Sequence, residues 1–146
     1  MRSVRVLSAM AALGTFVVFV LGKIVRLTGA STSIPDWPLA FGQLVPNMTP
    51  LVFWEWTHRL SVLIVFLTMV VLTLCAVRVP GRLWQYCLMS LGLFVIPAIF
   101  GGLSILYGLN ITASTMAHAF ELLFFASIVG LAVWSRSDAA ASGRPQ

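Results

Sequence analysis

Glu55, His58 and Arg59 fall within five residues of one another, at the head of an uncharged run from Leu60 to Val77. Only 9% of the chain is charged, so this concentration of ionisable side chains needs a cause. A second group, His118 with Glu121, lies in another long apolar stretch, and these are the 2 histidines of the chain. Glu55 stands three residues before its histidine and Glu121 three after, so on helices each carboxylate shares a face with an imidazole. Such pairs ligate metals, carry protons or hold each other in place. An ionisable group inside a membrane span is costly, and by default it marks a functional site.

The elements that must position these groups are membrane spans. With 146 residues, 60% of them hydrophobic, and a mean hydropathy of +1.00, the chain is too apolar for a soluble domain of its size. Uncharged stretches of about 20 residues recur, the length that a bilayer crossing needs. They predict an all-α, polytopic membrane protein. Residues 1–136 form a single four-helix transmembrane bundle, with spans at about 6–22, 51–77, 83–107 and 112–134 and one long outer loop at 23–50. Residues 137–146, made of Ser, Ala, Gly, Arg, Pro and their like, read as a disordered cytoplasmic tail.

A pI near 10.3 has a plainer cause here than nucleic acid, which is not an expected partner. Arg2, Arg5, Arg78, Arg82, Arg136 and Arg144 flank one side of the spans, and Lys23, Arg26 and Arg59 the other. Six against three places both termini in the cytoplasm, and the long loop outside, in a cell (plasma) membrane. The basic, apolar start reads as a retained helix rather than a cleaved signal peptide, because Lys23 and Arg26 follow it directly. Cys75 and Cys87 lie near the cytoplasmic ends of spans two and three and read as small packing residues.

Within the loop, Pro35, Pro38, Pro46 and Pro50 exclude a continuous helix, yet Trp37, Leu39 and Phe41 are too apolar for a solvated linker. Two readings stay open: aromatic anchors at the bilayer interface, or an ordered loop capping a site. Pro97 predicts a kink in span three. The patterns Ala98-x-x-x-Gly102 and Ser104-x-x-x-Gly108 let helix backbones, or a flat ligand, approach closely, as do Gly14 and Gly22 in span one.

Spans two and four both run inward from the outer side. His58 lies eight residues past Pro50 and His118 seven past Ile111, so both sit roughly 10–12 Å below their helix starts. A zinc site would recruit both glutamates as further ligands. Haem needs only one or two axial histidines and tolerates apolar walls, and its propionates would meet Lys23, Arg26 or Arg59 near the outer surface. Haem fits best. The bland alternative is that each histidine hydrogen-bonds a neighbouring helix.

Here a resemblance enters. Val25-Arg26-Leu27-Thr28-Gly29, then Pro35-Asp36-Trp37-Pro38-Leu39 with Gly42, then Glu55-Trp56-x-His58-Arg59 resemble the haem A synthase family. Gly101-Gly102 and His118 fall where the amino-terminal half of that family has its counterparts. Members are usually about twice this length, with two four-helix halves and a histidine pair in each. The resemblance implies an oxidoreductase that converts the C8 methyl of haem O to the formyl group of haem A for terminal oxidases. In the family one half carries haem b and the other receives haem O. The match is to the half with the glutamate-histidine motif, on the substrate side.

By that likeness Glu55 is the catalytic acid/base, His58 and His118 are the iron ligands, and Arg26, Arg59, Trp37, Gly101 and Gly102 help bind the cofactor. Many members carry cysteines flanking the proline-aspartate-tryptophan string, where this chain has Ile34 and Ala40 and no loop disulfide. One chain offers one two-histidine site, which implies a homo-oligomer, or a partner subunit, to supply a second haem. Membrane lipid is the solvent, and haem O synthase or terminal oxidase subunits are the implied protein partners. A non-catalytic haem-binding or delivery protein, a b-type electron-transfer cytochrome and a cofactor-free scaffold are the rival readings.

Overall fold

The computed structural model describes residues 2–107 and 111–141, with side chains through residue 137. Four helices carry it: α1 (Arg2–Leu27), α2 (Pro50–Val77), α3 (Leu83–Leu106) and α4 (Ile111–Ala141). No strand occurs among the described residues. All four helices are long and apolar enough to cross a membrane. The architecture is all-α, as the composition requires.

Each helix start has a local cause. Thr49 caps α2, its hydroxyl accepting the Val52 N–H at 3.4 Å, and Pro50 follows with a backbone that needs no partner there. The five residues between α2 and α3 include Gly81 at φ 100°, a left-handed conformation that glycine adopts without strain. This short turn holds α2 and α3 antiparallel.

α1 packs against α2 and α4, and α3 packs against the same two. The helices therefore form a square in which α1 faces α3, and α2 faces α4, across the diagonals. The core takes Val4, Ala11 and Val18 from α1, Met69 and Leu72 from α2, Phe94 from α3 and Phe124 and Ile128 from α4. Phe94 meets Phe124 edge-on at 5.0 Å between ring centroids. A Cβ on Gly14 would stand 2.9 Å from Val65 Cγ2, so the absent side chain is what lets α1 and α2 close.

The outer surface is apolar too. Only 22–28% of each span's most apolar stretch is buried in the bundle, and Leu13, Phe16, Leu63, Ile64 and Leu122 face outward. A surface like this needs lipid around it. The protein is multi-pass.

Several boundaries differ from the sequence reading. α1 continues to Leu27 and so contains Lys23 and Arg26, and α4 continues to Ala141 over residues that composition assigns to a disordered tail. Charge ends an apolar run but not a helix: arginine, lysine, leucine and alanine are all good helix formers. Residues 142–146 lie outside the described residues, as does Gly108. α3 passes through Pro97 as one helix. Cys87 is buried in the core and Cys75 half-buried beside it, both as free thiols.

Candidate functional site

The loop is ordered, while Trp37, Leu39 and Phe41 stay partly exposed as interface anchors would be. Residues 28–49 fold over one end of the bundle, here called the loop end. Ala40 and Gln43 exchange backbone hydrogen bonds at 3.0 Å around Phe41 and Gly42, whose φ values of 54° and 70° close the turn. Asp36 secures it by accepting the Phe41 and Gly42 N–H groups at 2.7 and 2.8 Å. These two bonds, Gly42's above all, hold the Asp36 carboxyl below its ordinary range, and the Arg59 charge adds to the effect. The Trp37–Pro38 peptide is cis.

Helix α2 grips this loop through its motif residues. Arg59 Nη1 donates to the carbonyls of Asp36 and Leu39 at 2.7 and 2.8 Å, and Nη2 donates to that of Ile34 at 3.3 Å. Its Nε donates to Glu55 Oε1 at 2.8 Å, one turn back on the same helix. Trp56 Nε1 donates to the Leu44 carbonyl at 2.9 Å. Beneath them Ile34, Ala40 and Val52 form a small apolar cluster, with Trp56 packed against it. Apolar packing thus joins the two loop positions where the resembling family often carries cysteines.

This geometry reassigns Arg59. The sequence expectation gave it to a propionate, but four of its five N–H groups are already spent on Glu55 and the loop. Glu55, 3% exposed, is the counter-charge of that clamp. It does not orient His58, whose Nδ1 is buried without any hydrogen-bond partner.

His58 points from α2 toward α1. Its ring interacts with the Val18 backbone, and a Cβ on Gly22 would lie 3.2 Å from its Cε1. Gly22 is therefore the seat of the imidazole. His118 sits differently, at the exposed flank of α4 nearest α1. Its Nδ1 lies 2.8 Å from the Ser114 carbonyl. A carbonyl only accepts, so Nδ1 carries the proton and the Nε2 lone pair is left free. Arg26 of α1 donates to the Ser114 hydroxyl at 2.9 Å and lies, with His118, within electrostatic reach of Glu121. Arg26, Ser114, His118 and Glu121 make one polar group on the α1–α4 seam.

The two histidines stand at about the same level. Arg26 meets Ser114, and four residues toward the other end, roughly 6 Å along each helix, lie Gly22 on α1 and His118 on α4. Gly22 is where His58 rests. Their helices are diagonal, yet His58 is turned inward and His118 outward. No contact joins them among the described residues, and no group of three or more His, Cys, Asp and Glu there is arranged to hold a metal ion. A zinc site built on both glutamates has no cluster to support it.

Trp37 and Gly102 do meet, but with each other. The indole rests on Gly102, where a Cβ would come within 2.8 Å of Trp37 Cδ2. The flat group that the glycine admits is the tryptophan of the chain itself. Gly101, one residue back, has open space beside it. Two residues of this arrangement escaped the sequence reading. Ser114 carries no motif signal, and Gly22 was visible only as a small residue. Asp36 was in plain view, six residues before the glycine whose N–H it binds.

Comparison with known proteins agrees with the motifs. Residues 5–51 match the sequence model of a family described as cytochrome oxidase assembly protein. A haem A synthase from Bacillus pumilus is 26% identical over 136 residues, covering 90% of this chain and 44% of the relative. One from Lysinibacillus sphaericus is 31% identical over 117 residues, 76% of this chain and 38% of the relative. One from Oceanobacillus iheyensis is 29% identical over 111 residues, 71% and 36% respectively. The chain spans somewhat under half the length of these relatives. Motifs and matches together make the chain similar to the haem A synthases over somewhat under half their length.

Proposed function

We propose that the chain is a haem A synthase-like oxidoreductase that takes haem O as substrate and oxidises its C8 methyl group to the formyl group. His58 and His118 would hold the haem iron on this reading. The observation that carries it is the pair itself: two histidines at one level on diagonal helices, each with one ring nitrogen free of hydrogen bonds among the described residues. The Nδ1 of His58, buried in the bundle without a hydrogen-bond partner, fits an iron ligand. His118 lies exposed on the flank of α4, so sharing an iron with His58 would require its ring to turn inward.

A bound haem, whether haem O or a redox haem b, supplies the iron chemistry, while the protein supplies orientation and charge. Arg26, exposed at the loop end beside His118 and hydrogen-bonded to the Ser114 hydroxyl, is a cation suited to a propionate. Arg59 acts indirectly by fixing the loop. Glu55 Oε1 is held by Arg59, and Oε2 takes no hydrogen bond among the described residues, so it is the oxygen that would accept a proton. The basic asymmetry supports cytoplasmic termini in the cell membrane. A homo-oligomer would bring a second haem site, and haem O synthase and terminal oxidase subunits are the partners this reaction implies.

One observation favours a second reading, a haem-binding or haem-delivery protein without catalysis: the Glu55 carboxylate is already engaged by Arg59. Pigment analysis of the purified protein decides. Haem A or hydroxylated haem O supports the enzyme, haem b alone supports the carrier or a cytochrome, and absence of any haem overturns both. His58→Ala and His118→Ala should each alter the same absorption spectrum. A spectrum indifferent to either removes that residue from the ligand set.

A further inference from the structure

At the end opposite the loop, Arg2 and Arg5 of α1 and Arg136 of α4 surround the mouth of a groove. Its volume is about 570 Å³, and its walls are Val6, Ala9, Met10 and Leu13. None of this belongs to the histidine site. Among the described residues no ion pair or hydrogen bond engages any of the three guanidinium groups, and the Arg5 Nε is buried without a partner. The three guanidinium groups line the groove without an acceptor from the described residues, so an acceptor from outside the chain can meet them.

The shape says which acceptor. From Arg2 to Leu13 the helix advances roughly 16 Å, close to half the ~30 Å hydrocarbon core of a bilayer. The cations therefore lie at headgroup level while the apolar walls run through one leaflet. A free phosphate would use the arginines and leave the walls idle. A phospholipid uses both.

We propose that this groove is a binding site for an anionic phospholipid, its phosphate on Arg2, Arg5 and Arg136 and one acyl chain along Val6, Ala9, Met10 and Leu13. Guanidinium matches phosphate with paired N–H donors, and basic pockets between membrane helices hold acidic headgroups in this way. The lipid would bridge α1 and α4, the same two helices that Arg26 and Ser114 join at the loop end.

The test is native mass spectrometry of the full chain released from nanodiscs made with equal phosphatidylglycerol and phosphatidylcholine. The wild type should retain phosphatidylglycerol preferentially. Arg5→Gln and Arg136→Gln should each lower that retention about 5-fold, the effect of one basic residue at a membrane surface. Met10→Trp, on an exposed wall, should lower retention of both lipids without touching a charge, and it serves if an arginine variant does not fold. Equal retention of the two lipids by the wild type would overturn the proposal. So would displacement of the lipid by millimolar inorganic phosphate, which would mark a simple anion site.

Discussion

A Cβ on Gly102 would stand 2.8 Å from Cδ2 of Trp37, closer than carbon atoms pack. The loop is thereby keyed into α3 as well as clamped to α2. Gly102→Ala should lift the indole from its seat at a cost of about 1–3 kcal/mol, the usual cost of overpacking. Thermal unfolding in detergent gives the loss. In the double variant with Trp37→Ala the two effects should not add, since each removes the same contact. Simple additivity would show that the tryptophan does not depend on this glycine.

Arg59→Lys should not be conservative. A lysine offers one point charge in place of a fork that spans Glu55 and three carbonyls. The variant leaves Glu55 poorly paired in a buried position, a loss of about 3 kcal/mol. Limited proteolysis should then cut within residues 34–44 faster than in the wild type. Unchanged cleavage would mean that the loop is held by Trp56 and the apolar cluster alone.

How much of this was legible beforehand follows from the physics of each signal. Hydropathy alone marks the four spans, since a bilayer tolerates little else, and the Glu55–Arg59 string stands out because charge is rare here. The direction of each side chain was not legible. Three residues separate Glu55 from His58, and both were read as facing one pocket. The arginine one turn on from Glu55 draws the carboxylate to the loop instead. The indole on Gly102 was invisible for a related reason: residues 37 and 102 meet only once the loop has folded, and no spacing encodes that contact.

The loop turn carries a pH dependence of definite sign. Folding lowers the Asp36 pKa below its ordinary value of 3.8, through the Gly42 N–H first. Its contribution is therefore complete above the unfolded value and is lost as pH falls through the folded one. Asp36→Asn should abolish this acid limb while lowering stability at neutral pH. Loop mobility followed by Trp37 fluorescence should show the transition in the wild type only.

Gly22→Ala tests the seat of His58. The added methyl lies 3.2 Å from Cε1, so the ring must yield by a few tenths of an ångström while the helix itself gains a better former. If the imidazole ligates haem, the absorption spectrum should shift while thermal stability changes by less than about 1 kcal/mol. A spectrum unaltered by both Gly22→Ala and Gly22→Val would place the haem ligand elsewhere.

Glu55→Gln separates proton transfer from architecture. Glutamine keeps an oxygen that accepts the Arg59 Nε–H, so the loop clamp loses charge but not its hydrogen bond. It also keeps the volume of a side chain that is 3% exposed, so packing is preserved. What disappears is a group able to take a proton. If Glu55 serves as the base in methyl oxidation, the variant should bind haem O as the wild type does yet fail to deliver haem A, or stop at a hydroxylated product. Arg59→Lys supplies the control, because it disturbs the clamp while leaving the carboxylate in place. Loss of haem binding in both variants would assign the pair to the fold. Loss of conversion in Glu55→Gln alone, with the loop still protected from protease, assigns the carboxylate to the chemistry. Undiminished haem A from Glu55→Gln would remove it from the reaction, leaving it as the counter-ion of Arg59.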